Sequence, residues 1–328
     1  MAEFSARFRL ALHHTLILFA AGLTAIFLWV YLRLPQGYLL LVVFAFLSAV
    51  RIADFSSRQM RLQILLGMLF STAILQYIVS ATNNIPLINI FMPAAASWVI
   101  LKKLPSASAY PALLPGFLAY SAAPGAYAAA ERVFDLLLAG AASWLITLPI
   151  PGKIRLPDDN SAEHTVSPAR AFIDSFTLLS ALFLYKILSM PQGLWIVLTP
   201  IFIFLARRPG EFGGELVRQR IFSVPAGILL GGVYSGTVVV FDYRLAYLAP
   251  LICAMGFFML YYRHDFFLFS LFFMIAFTVC ADWMTGTLHG FNFLQFLFAR
   301  TLATIIGAAL FAGVEQSAAN AFSGVAAA

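Results

Sequence analysis

The chain has 328 residues, of which 62% are hydrophobic and 10% charged, with a formal net charge of +6 and a mean hydropathy of +0.91. A soluble domain carries roughly a quarter charged residues, so this composition excludes a water-exposed globular surface and requires a chain that faces lipid. At about 20 residues per span, the length has room for about twelve membrane helices with short connections.

The predicted spans run over 13–32, 36–50, 62–81, 85–101, 106–122 and 126–148, and then over 171–190, 192–206, 217–240, 245–262, 266–283 and 292–312. Arg7 and Arg9 precede the first span as in a signal peptide. Its apolar run is too long for one and no small-x-small cleavage site follows, so a retained helix is expected. Pro105, Pro111 and Pro115 interrupt the fifth span. Between the two sets lies the one long polar stretch, Pro151 to Pro168, with Lys153, Arg155, Asp158, Asp159, Glu163 and His164. It is too short and too polar to build a core. The expected organisation is a membrane repeat at 1–150, a polar cytoplasmic linker at 151–169, a second repeat at 170–316 and a tail at 317–328.

The two halves share a pattern. Pro35-Gln36-Gly37 is followed by an apolar run and Arg51; Pro191-Gln192-Gly193 is followed by an apolar run and Arg207, with both features 156 residues further on. Each half closes on an arginine before small residues: Arg132 before Gly140-Ala141-Ala142, and Arg300 before Gly307-Ala308-Ala309. Internal repeats in a hydrophobic chain are a recurrent architecture of transporters. The expected fold is all-α and polytopic, about twelve helices in two six-helix repeats. An even number of spans per half makes the repeats parallel.

With a cytoplasmic amino terminus, fifteen of the twenty Lys and Arg fall on inner segments, among them Arg51, Arg58, Arg61, Arg170, Arg207, Arg218 and Arg220. The other five are Arg33, Arg132, Lys186, Arg244 and Arg300. This bias predicts both termini inside. The positive charge is then a sidedness device against anionic lipid, not a nucleic-acid surface.

A charge at bilayer depth costs at least about 2.5–3.5 kcal/mol and usually faces a bundle interior or a wet cavity. Arg132 and Arg300 occupy matching deep positions, where guanidinium groups suit bidentate binding of a carboxylate. The alternative is a structural pair, Arg132 with Glu131 or Asp135 and Arg300 with Asp282. Thr304, Gly307 or Ala308 and Phe311 follow Arg300 on one helical stripe, as Asp135, Ala139 or Gly140 and Ser143 follow Arg132. Asp135, Asp174 and Asp282 are the carboxylates nearest the membrane interior, and one of them would carry a proton in a coupled exporter. Arg132, Arg300 and Thr304 are therefore the candidate substrate-binding residues, and Asp135, Asp282 and Asp174 the proton-coupling ones.

Pro86 and Pro93 around Asn89, Thr199-Pro200, Pro225 and Pro250 mark sites where helices are expected to kink or unwind. Phenylalanines crowd Phe257-Phe258 and Phe266 to Phe277 and are expected to face lipid. Cys253 and Cys280 sit in apolar runs without metal or redox spacing and read as packing residues. No hydrolase, metalloprotease or phosphate-loop signature occurs, so neither an enzyme nor a cofactor is expected.

Pro191-Gln192-Gly193-Leu194-Trp195, Leu198-Thr199-Pro200, the basic turn ending at Arg218 and Arg220, Gly227 and Gly231, and Arg300-x-x-x-Thr304-x-x-Gly307-Ala308 together resemble the membrane module of the fusaric acid resistance and aromatic acid exporter superfamily. The first half keeps Pro35-Gln36-Gly37-Tyr38, Arg58, Arg61, Gly67 and Arg132-x-x-Asp135. The resemblance covers most of the chain and is to two fused modules, without the large cytoplasmic domain many exporters of the group carry. It implies six-helix modules, an anion path flanked by Arg132 and Arg300, and a periplasmic membrane-fusion adaptor as partner. The family's Asp after the closing arginine is Asp135 in the first copy but Ala303 in the second. The function expected is export of organic anions, aromatic carboxylates or amphipathic drugs, across a bacterial inner membrane and driven by the proton-motive force. A passive anion channel and a non-transporting scaffold for the adaptor are the alternatives.

Overall fold

A computed structural model describes residues 8–9, 11–21, 23–24, 44–45, 47–49, 57–121, 129–148, 166–207, 213–285 and 291–326. These residues are mainly helical, with no strand among them. The helices are α1 (Ala11–Ala21), α2 (Arg58–Ala81), α3 (Pro86–Lys103), α4 (Ser106–Phe117), α5 (Ala129–Thr147), α6 (Pro168–Leu188), α7 (Leu194–Ala206), α8 (Gly214–Val240), α9 (Ala249–Arg263), α10 (Phe266–Thr285) and α11 (Phe291–Ala326). Among the described residues, four stretches are long and apolar enough to cross a membrane: Arg58–Ala81, Pro168–Leu188, Gly214–Val240 and Asn292–Asn320. Five more, including Leu194–Ala206 and Ala249–Arg263, are apolar but shorter.

The outward faces of the long helices are as apolar as their cores. Phe70 and Tyr77 on α2, and Phe222, Val233 and Val239 on α8, are exposed. In water such continuous apolar surface would be a liability; in lipid it is the expected coat. Several hydroxyls on the apolar helices are satisfied locally. Thr177, Thr278 and Thr304 each donate to the carbonyl four residues back on their own helix, which removes the cost of a bare hydroxyl in an apolar setting.

The chain divides into two compact units, one of residues Leu16–Leu179 and the other of Met1–Thr15 with Ser180–Ala328. The division falls inside α6. Of the expected linker, 151–165 lies outside the described residues, and α6 begins at Pro168. In the unit 16–179, α2 packs on α3, α4 and α5, and α3 packs on α4. Its core joins Ile64, Leu65 and Met68 of α2 to Ala107 of α4 and Leu136 and Ala139 of α5. In the other unit α8 packs on α10 and α11, α9 on α10, and α7 on α11. Three of these pairings recur in order: α2 with α4 as α8 with α10, α2 with α5 as α8 with α11, and α3 with α4 as α9 with α10.

Small residues set the α8–α10 contact. A Cβ on Gly227 would stand 2.7 Å from the Leu271 carbonyl oxygen, and one on Gly231 would stand 3.1 Å from that of Ile275. Only glycine lets the two backbones approach this closely. The prolines do not unwind the helices that hold them: α3 continues through Pro93, α7 through Pro200 and α8 through Pro225, while Pro86 takes the first position of α3, where no donor is lost. The second Pro-Gln-Gly motif makes the tight turn between α6 and α7, with Gln192 at φ 60° and the Gly193 amide donating to the Met190 carbonyl. The first copy of the motif lies outside the described residues.

A candidate anion site in the second unit

α7 presents Trp195, Thr199 and Phe202 at intervals of four and three residues, which places them on one helical face. All three are buried. Trp195 and Phe202 stack with ring centroids 6.1 Å apart and planes 18° from parallel. α10 supplies Phe277, edge-on to Trp195 at 5.2 Å, and Phe273, at 5.1 Å from Phe202. Several of the phenylalanines expected to face lipid thus line the interior; Phe266 and Phe269 are buried outright. The α10 sequence is rich enough in phenylalanine to clothe both faces.

Into this aromatic wall project two arginines. Arg300, ten residues into α11, is 0% exposed. Its guanidinium lies over the Trp195 ring, with Phe277 at 5.5 Å, and Nη2 points at the Met274 sulfur at 3.3 Å. Arg220, on α8, is also 0% exposed. Its guanidinium stands 4.5 Å from the Phe202 centroid, and Nη1 donates to Ser270 Oγ at 2.6 Å, which is itself bonded to Ser223. Ser270 and Met274 are one turn apart on α10, and Phe202 and Trp195 are stacked on α7. The two cations are therefore held by adjoining residues of the same two helices, and their charges repel.

What they lack is acceptors. Nε and Nη2 of Arg220, Nε and Nη1 of Arg300 and the hydroxyl of Thr199 are buried without a hydrogen-bond partner. Among the described residues no carboxylate pairs with either guanidinium. Desolvated stacking on aromatic faces contributes about 2 kcal/mol, short of what a buried, unpaired charge costs. A site of this composition offers donors and positive charge and is complementary to an anion.

The candidates read from sequence fall out unevenly. Arg300 is deep and unpaired by any described carboxylate. Thr304 is buried beside it, but its hydroxyl is spent on the Arg300 carbonyl at 2.9 Å. Gly307 meets α7: a Cβ there would lie 2.6 Å from the Ile196 carbonyl oxygen and 3.1 Å from Thr199 Cβ. The side chains of Arg132 and Asp282 lie outside the described residues, although both positions are on described helices. Asp135 is 2% exposed and engaged by a neighbouring group. Ser143, two turns on, bonds to Ser48 at 2.7 Å. Asp174, which its closeness to Arg170 could have placed at the membrane surface, is 0% exposed. Tyr110 donates to its Oδ2 at 2.6 Å and Arg170 pairs with its Oδ1 at 3.0 Å.

Several arginines counted as inner-surface charges also turn inward. Arg61 is buried, and its Nη1 donates to the Thr147 carbonyl at the end of α5. Arg207 approaches Glu315 at 3.6 Å, and the Glu315 carboxylate accepts the Gly213 amide at 2.8 Å. His14 is buried and stacked on Tyr261. Arg220 is the residue that composition-level reasoning missed. A signal was present: Arg220 precedes the close-packing Gly227 by seven residues, as Arg300 precedes Gly307.

No protein-family model, curated protein or solved structure matches the chain.

Proposed function

We propose that the protein is an inner-membrane carrier that exports organic anions, with aromatic carboxylates or amphipathic drugs as the substrate class and the proton-motive force as the energy source. The reading rests above all on Arg300: wholly buried, stacked on Trp195, and with two N–H groups lacking an acceptor. A cation kept in an apolar helical unit with no countercharge among the described residues stabilises nothing by itself. It is intelligible as one half of an interaction whose other half arrives as substrate. The motif order shared with the fusaric acid resistance and aromatic acid exporter superfamily supports the same reading. On that reading the chain has about twelve spans in two parallel repeats, both termini are cytoplasmic, and a periplasmic membrane-fusion adaptor completes the export path.

Arg132 is proposed as the counterpart of Arg300 in the first repeat. For proton linkage, Asp135 and Asp174 are buried carboxylates in the unit 16–179, and Asp282 is proposed alongside them. The test is flux of a labelled aromatic carboxylate from proteoliposomes holding the purified full chain. A coupled carrier moves the anion against its gradient and stops when the proton gradient is collapsed. Downhill flux that ignores the proton gradient would make the protein a channel, and no flux from the chain alone would make it a scaffold.

A further inference from the structure

We infer that Arg220 and Arg300 together form a binding site for one divalent oxyanion within the second unit, with Thr199 as its hydroxyl donor. This rests on the anion-carrier reading for its physiological sense but not for its geometry. Arg220 is the new element. Its Nη1 is committed to Ser270, while Nε and Nη2, which form the side-on fork of a guanidinium, have no partner. That fork matches two oxygens of one carboxylate or sulfate. The broad faces of both guanidiniums lie against aromatic rings, Arg220 on Phe202 and Arg300 on Trp195. The unbonded N–H groups lie in the guanidinium planes, so a ligand with several acceptor atoms meets them edge-on.

Three features select the ligand class. The available groups are donors: four guanidinium nitrogens and one hydroxyl. An acceptor-only ligand satisfies them, and an ammonium-bearing zwitterion does not, since no described carboxylate is there to receive its cation. The donors come from three helices, α7, α8 and α11, so a polyatomic oxyanion reaches more of them than a single halide ion. Finally, two positive charges rest on adjoining residues of α7 and α10 without a described countercharge, and a dianion neutralises both where a monoanion leaves one. Thr199 sits between Trp195 and Phe202 on the α7 face against which the two guanidiniums are stacked, with its Oγ1 free, and so is placed to donate to the same ligand. Sulfate and a short dicarboxylate such as succinate share this chemistry and are separate arms of the test.

The experiment is titration calorimetry on the detergent-solubilised full chain with sulfate, succinate and chloride at matched ionic strength. Saturable binding of sulfate or succinate is expected, with chloride at least tenfold weaker. Arg220→Lys keeps the charge but loses the fork and is expected to weaken binding at least tenfold, and Thr199→Val, nearly isosteric, by about threefold to tenfold. Which of the two probes binds more tightly separates an inorganic from an organic ligand. Chloride binding as tightly as both dianions, or sulfate and succinate binding that Arg220→Lys and Thr199→Val leave unchanged, overturns the inference. If Arg220→Lys does not fold, Thr199→Val and the anion selectivity of the wild-type chain decide alone. Dianion binding lost in these variants without any transport keeps the site and removes the carrier; transport unaffected by Arg220→Lys keeps the carrier and removes the site.

Discussion

Arg220 and Asp174 are both buried ions, yet they stand in opposite situations. Asp174 is answered twice, by the Arg170 guanidinium and the Tyr110 hydroxyl, and its cost of burial is offset inside the protein. Tyr110→Phe removes one hydrogen bond to that charged group and is expected to destabilise by about 1.5–3 kcal/mol, read as a lower melting temperature in detergent. Equal melting of variant and wild type would show that Tyr110 does not support the carboxylate. Among the described residues Arg220 has one hydrogen-bond partner, Ser270, besides the Phe202 ring, and its Nε and Nη2 stay unbonded. On the proposed reading, a residue held that way is kept for a ligand. The sequence could not separate the two cases. Arg170 with Asp174 announces itself as a pair one turn apart, whereas the partners of Arg220 come from α7 and α10 and are joined to it only by tertiary packing. Counting it as an inner-surface charge followed from its place near the start of α8, where arginines usually meet headgroups.

At the level of the helix, glycine spacing was the most legible signal and the structure gives it a function. Gly227, Gly231 and Gly307 each stand where a Cβ would strike a neighbouring helix backbone. Gly227→Ala is therefore expected to destabilise by about 1–3 kcal/mol through overpacking. Gly236, on the same helix, meets nothing within 4 Å; Gly236→Ala is expected to stabilise by about 0.5–1 kcal/mol through helix propensity. A matched pair of thermal melts checks both signs, and similar shifts for the two variants would mean that α8 does not pack on α10 as described. Proline was the less legible signal. Pro93, Pro200 and Pro225 lie in helices that continue through them, because a membrane helix breaks only where something re-satisfies or solvates the freed carbonyls. The helix ends carry a pattern that sequence alone did not reveal. Arg61 holds the end of α5 through the Thr147 carbonyl, and Glu315 ties α11 to the amide of Gly213 just before α8.

Over the whole chain, composition determined the class, and the helical architecture follows it: an apolar chain can satisfy its backbone in lipid only as helices or a closed barrel. Four of the long apolar helices have the length to span, and the shorter ones are where a count of twelve goes beyond length and composition. Sidedness is a separate claim with its own measurement. In a chain whose native cysteines are replaced by serine, a cysteine at Lys103 is expected to react with an impermeant maleimide in inside-out vesicles, and one at Asn84 in right-side-out vesicles. Labelling of both from the same side would refute the alternating topology. The repeat is an expectation from Pro-Gln-Gly and the closing arginines, and its first Pro-Gln-Gly copy lies outside the described residues. Beyond the motifs, the candidate site is built from side chains that no linear pattern brings together.

The central claim is that a buried cation is kept at a cost because it binds the transported anion. Arg300→Met tests it most directly, since methionine fills similar apolar volume without charge. Replacing buried ionic groups by well-packed apolar ones is often neutral or stabilising by about 1–4 kcal/mol. In proteoliposomes and in paired melts of the same preparation, the variant is expected to melt no lower than wild type while aromatic carboxylate flux falls at least tenfold. Wild-type flux from an intact Arg300→Met protein, or a melting temperature that collapses with it, would contradict the account and return Arg300 to the structural core.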